Sequence, residues 1–274
     1  MTQSIKQRKL SLASHDFGKH GPPMMILHGL FGSSRNWRGF ALKFENEFRI
    51  WTLDLRNHGD SPHSFQMNYH LMSEDVFEFV GSRQLSKFGV LGHSMGGKTA
   101  MQMALDAPQQ IRFLVVADIA PVSYTHQDQH QELITVMKQL DLSGIKLISQ
   151  AEELLKIKIP DTSLRKFLLM NLKSDQKGMV WRLGLNGIER SLKHLLGVPG
   201  ETGQVFEGPS LFIGGENSNY LHPKYHPEVR RLFPNSRIVV LKQAGHWLHA
   251  EQPESFQKTV KSFLNAVFRM EQSC

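Results

Sequence analysis

A chain of 274 residues with 40% hydrophobic and 21% charged side chains can bury a large core, and it suits one α/β domain or one domain with an insertion. A net charge of +7 admits an anionic substrate group. The Lys and Arg residues are scattered, however, without zinc-finger spacing or a basic stripe interleaved with aromatics, so a nucleic-acid partner is not expected. No apolar run is long enough to span a bilayer, and "MTQSIKQRKLSLASH" lacks the apolar core of a secretion signal, so stable membrane insertion is not expected and the cytoplasm is the expected compartment. The single cysteine, Cys274, has no partner for a disulfide or a metal site.

Short apolar runs alternate with amphipathic stretches along the chain. Residues 6–17 suit antiparallel edge strands. "PMMILHG" (23–29) reads as a buried strand, followed by a helix near 34–46. "FRIWTLDLRNHG" (48–59) is a second buried strand running into a polar loop, with a helix near 73–83. "KFGVLGHS" (87–94) and "IRFLVVAD" (111–118) are the next two strands, separated by a helix near 95–106. "GPSLFIGG" (208–215) and "SRIVVLKQAGH" (236–246) follow late in the chain, with helices near 223–233 and 253–268. Continuous apolar runs alternating with helices predict a mostly parallel central sheet flanked by helices. Between 122 and 205 the rhythm breaks, and "QELITVMKQLDL", "SQAEELLKI", "SLRKFLLMNL" and "GIERSLKHLL" each carry helical spacing. The expected division is a core of 1–121 and 206–274 with a helical cap over 122–205.

In open parallel sheets ligands bind beyond the carboxyl ends of the strands. "GHSMGG" (92–97) stands at such an end, between a strand and a helix rich in small residues. This is G-x-S-x-G in its required context, with Gly92 and Gly96 giving room where strand and helix come close. Ser94 is thereby the candidate nucleophile. Met95 places a backbone N–H at the helix N-terminus, where negative charge would develop. A serine hydroxyl needs a base, and His246, after a strand and the turn "KQAG", is preferred to the nearby His249. The glycine-rich loop "HGLFGS" (28–33) supplies a second oxyanion donor at Leu30.

These motifs, in this order, resemble the α/β-hydrolase superfamily. "DLRNHGDSP" (54–62), "GHSMGGK", "DIAPVSY" (118–124), "GGENSNYL" (214–221) and "AGHWLHAEQPE" (244–254) resemble more narrowly the small bacterial acyl esterases of the YbfF type. The resemblance implies the α/β-hydrolase fold with a cap. Many members of the superfamily carry their acid after the penultimate strand, near position 218, yet Glu216, Asn217, Ser218 and Asn219 include no aspartate. Asp118, at the end of the preceding strand, is the preferred acid, and the shared D-I-A-P-V element implies the same position. Glu216 is the rival. Asp54 is expected to organise its own loop, and Arg56 and Asn57 to fix that loop rather than touch substrate.

The expected reaction is hydrolysis of short- to medium-chain acyl esters or thioesters through an acyl-enzyme. Ser94 attacks, His246 moves the proton and Asp118 orients it, with no metal or cofactor needed. Phe167, Leu168, Leu169, Met170 and Trp181 of the insertion are candidates to line an acyl pocket. Phe31, His93 and Trp247 complete the candidate substrate contacts. Perhydrolysis, carbon–carbon bond hydrolysis and a ligand receptor with residual turnover remain alternatives, and the oligomeric state is open.

Overall fold

In the computed structural model, which describes residues 9–125, 127–176, 178–201 and 203–272, alternation along the strands sorts the core into two layers. Cys274 and the start of the expected N-terminal edge, residues 6–8, lie outside the described residues. The strands are β1 (Ser14–Phe17), β2 (Pro23–Leu27), β3 (Arg49–Leu53), β4 (Phe88–His93), β5 (Ile111–Ala117), β6 (Leu172–Asp175), β7 (Gly178–Trp181), β8 (Ser210–Gly215) and β9 (Ser236–Leu241). Seven of them form one sheet in the order β1-β3-β2-β4-β5-β8-β9, parallel throughout except for β1, which pairs antiparallel with β3.

Successive side chains of a strand point to opposite faces. Met25 and Leu27 of β2, with Leu114 and Val116 of β5, join one layer, while Met24, Ile26, Phe113 and Val115 join the other. The first layer is completed by α2 (Tyr69–Ser82), α3 (Met95–Asp106) and α8 (His226–Leu232). The second is completed by α1 (Arg38–Phe44), which follows a 3₁₀ turn at Ser34–Trp37, and by α10 (Pro253–Gln272), preceded by the short α9 (Leu248–Glu251). The helix expected from residue 73 begins earlier, at Tyr69, because the Asn68 side chain caps it by accepting from Leu71 N at 2.8 Å.

The chain between β5 and β8 carries α4 (Gln127–Gln139), α5 (Ile148–Lys156), α6 (Thr162–Leu169) and α7 (Leu185–Leu195). It is not wholly helical. β6 and β7 form an antiparallel hairpin where only helices were expected. The helix read from "SLRKFLLMNL" stops at Leu169, since Asn171 turns away to donate its Nδ2 to Phe31 O at 2.7 Å, and the next residues pair as strand.

The loop after β3 is fixed by a buried ion pair. Arg56 Nε donates to Asp75 Oδ2 at 2.7 Å and Nη2 to Oδ1 at 2.8 Å, with both side chains at most 2% exposed. Arg56 also reaches Gln66 O at 2.8 Å, and Asn57 Oδ1 accepts from Ser64 N at 2.7 Å. Asp54 accepts from Ser34 N at 2.7 Å and Asp60 N at 2.9 Å. All three residues organise loops, as expected of them.

Candidate active site

Ser94 sits between the end of β4 and the start of α3 with φ 52° and ψ −116°, a conformation that costs a non-glycine residue of order 1–3 kcal/mol. The turn is tight enough that a Cβ on Gly92 would lie 2.1 Å from Gly96 O, and one on Gly96 would lie 2.4 Å from Leu27 O. Ser94 N donates to Ala117 O at 2.9 Å, which ties the elbow to β5. Met95 is the first residue of α3, where backbone N–H groups have no partner within the helix.

His246 follows β9 and places Nε2 3.1 Å from Ser94 Oγ. Its Nδ1–H donates to Asp118 Oδ2 at 2.7 Å, the tautomer that leaves Nε2 free to accept. Asp118 follows β5, is fully buried and has φ 51°. Its Oδ1 accepts from Gly215 N at 3.0 Å, and Ser218 Oγ–H donates to Oδ2. Three donors from β8, the loop after it and the histidine therefore satisfy a carboxylate that would be costly to bury alone. Glu216 is exposed, and its Oε2 accepts from Gln243 N at 2.9 Å. His249 stacks on Trp37 with ring centroids 4.4 Å apart.

The loop carrying Leu30 and Phe31 is braced by two buried imidazoles. His28 Nδ1–H donates to Gly29 O at 2.8 Å and Nε2 accepts from Leu55 N at 3.0 Å. His58 Nδ1–H donates to Arg56 O at 2.9 Å and Nε2 accepts from Phe31 N at 3.1 Å, which crosses the brace. Accepting at one nitrogen requires both rings to be neutral. Burial lowers the pKa of His28, and burial with repulsion from His28 takes His58 down to about 3. Burial with repulsion from His246 takes His249 to about 3, and the same causes, led by burial, hold His93 well below the ordinary value.

These histidines give the fold an acid sensitivity with a defined sign. Between the unfolded value of about 6.5 and a folded value of about 3, the unfolded chain binds more protons, so stability falls as pH falls through that window. At pH 5 each of His58 and His249 should withdraw about 2 kcal/mol of the stability present at neutral pH. Urea melts between pH 7 and pH 5 should show this decline, and His249→Phe should flatten it; an unchanged slope in that variant would remove the assignment.

Ser94 opens into a cavity of about 250 Å³ whose lining includes Phe31, His93, Phe167, Trp247, Leu133 and Leu164. Phe167 and Trp247 meet in a tilted arrangement, with ring centroids 5.7 Å apart and an interplanar angle of 51°. Leu164 and Phe167 are three residues apart and share the face of α6 turned to the cavity. Met170 and Trp181, also expected to contact substrate, are not among the side chains that line this cavity. Met170 lies beyond the end of α6, is 49% exposed, and contacts Asn36 Nδ2 through its sulfur at 3.8 Å. Trp181 belongs to β7, where its Nε1–H donates to Met137 O at 2.9 Å beside a separate cleft. Leu168 and Leu169 are buried in the core of the insertion.

The sequence reading missed three features of the site. Tyr220 lies with its ring centroid 4.2 Å from that of His246. A second, smaller cavity of about 40 Å³ shares Ser94 and Leu30 with the first and is lined by Met95, Tyr124 and Leu192. At that cavity stands Lys98, one turn after Ser94 and 1% exposed. Its ammonium donates to Val122 O at 2.7 Å, Gly197 O at 2.5 Å and Leu196 O at 3.4 Å, and lies 4.6 Å from the Tyr124 ring centroid. Burial pushes its pKa down to about 7. "GHSMGGK" displays this lysine, but nothing local foretells that both ends of the insertion converge on it. Among the described residues no group of three His, Cys, Asp or Glu is placed to hold a metal ion.

A parallel sheet with a serine elbow at the end of its central strand defines the α/β hydrolases, and the family model described as "alpha/beta hydrolase fold" matches residues 22–253, so the chain belongs to that family. It is 37% identical over 271 residues, covering 97% of this chain and 85% of the relative, to the sn-1-specific diacylglycerol lipase ABHD11 of Xenopus tropicalis. It is 33% identical over 243 residues, covering 89% of this chain and 93% of the relative, to esterase YbfF of Escherichia coli. A marine microorganism esterase of solved structure superposes with a TM-score of 0.90 at 36% identity, covering 93% of this chain and 99% of that one. The chain is therefore an α/β hydrolase with esterase and lipase relatives, and no helix among the described residues is long and apolar enough to cross a membrane.

Proposed function

We propose that the protein is a serine hydrolase of carboxylic esters and thioesters. The observation that carries this reading is the continuous chain of hydrogen bonds Ser94–His246–Asp118 at a strained strand-to-helix turn. Ser94 Oγ attacks the acyl carbonyl as His246 Nε2 takes its proton, and Asp118 stabilises the resulting imidazolium. The N–H groups of Met95 and Leu30 receive the oxyanion. His246 then protonates the leaving group, and later activates the water that releases the acyl group from Ser94.

The two cavities divide the substrate. The leaving group must lie on the side of His246, which lines the 250 Å³ cavity. The acyl chain takes the 40 Å³ cavity, whose lining holds Leu30 and Met95 but not His246. One water needs about 10–15 Å³, so this space holds roughly three heavy atoms beyond the carbonyl. The segment over 122–205 acts as a cap, since its Leu192 closes the acyl side and its Phe167 and Leu164 close the other.

Hydrolysis of p-nitrophenyl esters tests this reading, with Ser94→Ala as the blank. The wild type should favour acetate to butyrate over octanoate by at least about tenfold, and Leu192→Ala should narrow that gap. Turnover no faster than the Ser94→Ala blank defeats the hydrolase reading. A chain-length profile moved by Phe167→Ala but not by Leu192→Ala defeats the division of the cavities alone.

A further inference from the structure

Of the eleven large apolar side chains exposed among the described residues, four lie together on one helix. Leu147, Ile148, Leu154 and Ile157 are 62%, 48%, 44% and 81% exposed, all at α5 or its two ends. Leu147, Leu154 and Ile157 are separated by seven and three residues, a spacing that lays them along one stripe of a helix. The helix is anchored by Ala151 and Leu155, both fully buried and roughly a quarter turn round from the stripe, and it packs on α6, the helix that turns Leu164 and Phe167 into the cavity beside Ser94. The stripe therefore faces outward one helix layer above the candidate active site.

The sequence around the stripe is basic at both ends, "KLI" (146–148) and "KIK" (156–158), and Lys146, Lys156 and Lys158 are exposed. Of the nearby acids, Glu153 pairs with Lys156 at 3.6 Å, Glu152 lies 3.9 Å from Arg165, and Asp161 caps α6 by accepting from Ser163 N and Leu164 N. Lys146 and Lys158 are left flanking the apolar side chains. Protein–protein interfaces are depleted in lysine, whereas lysines beside isolated apolar residues suit a bilayer surface, where stems lie along the acyl boundary and ammonium groups meet anionic headgroups.

We propose that α5 docks the protein on anionic lipid surfaces, with Leu147, Leu154 and Ile157 entering the headgroup boundary and Lys146 and Lys158 contacting lipid phosphates. The docking is peripheral and reversible, and it sets the cap face of the molecule against the bilayer.

Co-sedimentation with phosphatidylcholine vesicles, with and without phosphatidylglycerol, is the test. Wild type should bind only vesicles containing phosphatidylglycerol, and added salt should weaken binding. Lys146→Gln with Lys158→Gln should lower the partition coefficient about thirtyfold, at roughly 1 kcal/mol per lysine. Leu154→Ser with Ile157→Ser should lower it at least about tenfold. Both pairs should leave the hydrolysis of a soluble ester unchanged, which controls for folding. Wild type that ignores phosphatidylglycerol, or variants that bind as wild type does, overturns the proposal. So does a wild type that sediments as a dimer in free solution and becomes monomeric on Leu154→Ser with Ile157→Ser, since the stripe is then a contact between copies of this chain.

Discussion

The Asp118→Asn variant should lose about four orders of magnitude in kcat on p-nitrophenyl butyrate, while Glu216→Gln keeps wild-type activity. The substitution conserves shape, so the reason is electronic and directional. Three donors converge on the carboxylate: Gly215 N, Ser218 Oγ–H and His246 Nδ1–H. An amide offers one accepting oxygen and one NH₂ group, which must then face a donor. Whichever way it turns, either His246 loses its acceptor and the favoured tautomer, or the backbone of Gly215 is left unmatched inside the fold. Glu216 is tied to Gln243 N at the surface, and its loss touches neither partner of His246. An active Asp118→Asn beside a dead Glu216→Gln would reverse the assignment of the acid.

Asp75→Asn should destabilise the fold by about 3–5 kcal/mol, read as a lower urea midpoint with an unchanged slope. Arg56 is 2% exposed and its charge has Asp75 as a bidentate partner at 2.7 and 2.8 Å, so removing the carboxylate leaves an unpaired guanidinium in the core. Asp75 also accepts from Leu10 N at 2.8 Å, so the variant loosens the N-terminal segment as well. The effect should extend to activity, because the loop held by Arg56 carries His58, and His58 holds Phe31 N beside Leu30. A change below about 1 kcal/mol would mean that water or rearrangement replaces the pair.

Much of this architecture was legible because its signals are local. Buried parallel strands are continuous apolar runs, and "GHSMGG" needs only its own glycines to make the turn. The placement of Asp118 was legible because strand ends in a parallel sheet share one rim. The hairpin β6–β7 was not, since it depends on Asn171 leaving α6 for Phe31 O, a partner 140 residues away in sequence. The positions of Met170, past the end of α6, and Trp181, on β7, depend on the same turn. The neutral imidazoles of His28 and His58 and the carbonyl cradle of Lys98 also join segments far apart in the chain, and composition carries no trace of them.

Ser218 stands where the family resemblance placed an acid after the penultimate strand, and its hydroxyl donates to the oxygen of Asp118 that accepts from His246. The ends of β5 and β8 therefore meet beside one imidazole nitrogen, and what stands next to Asp118 there is a hydroxyl that can donate to it rather than a second carboxylate that would set like charges together in a buried place.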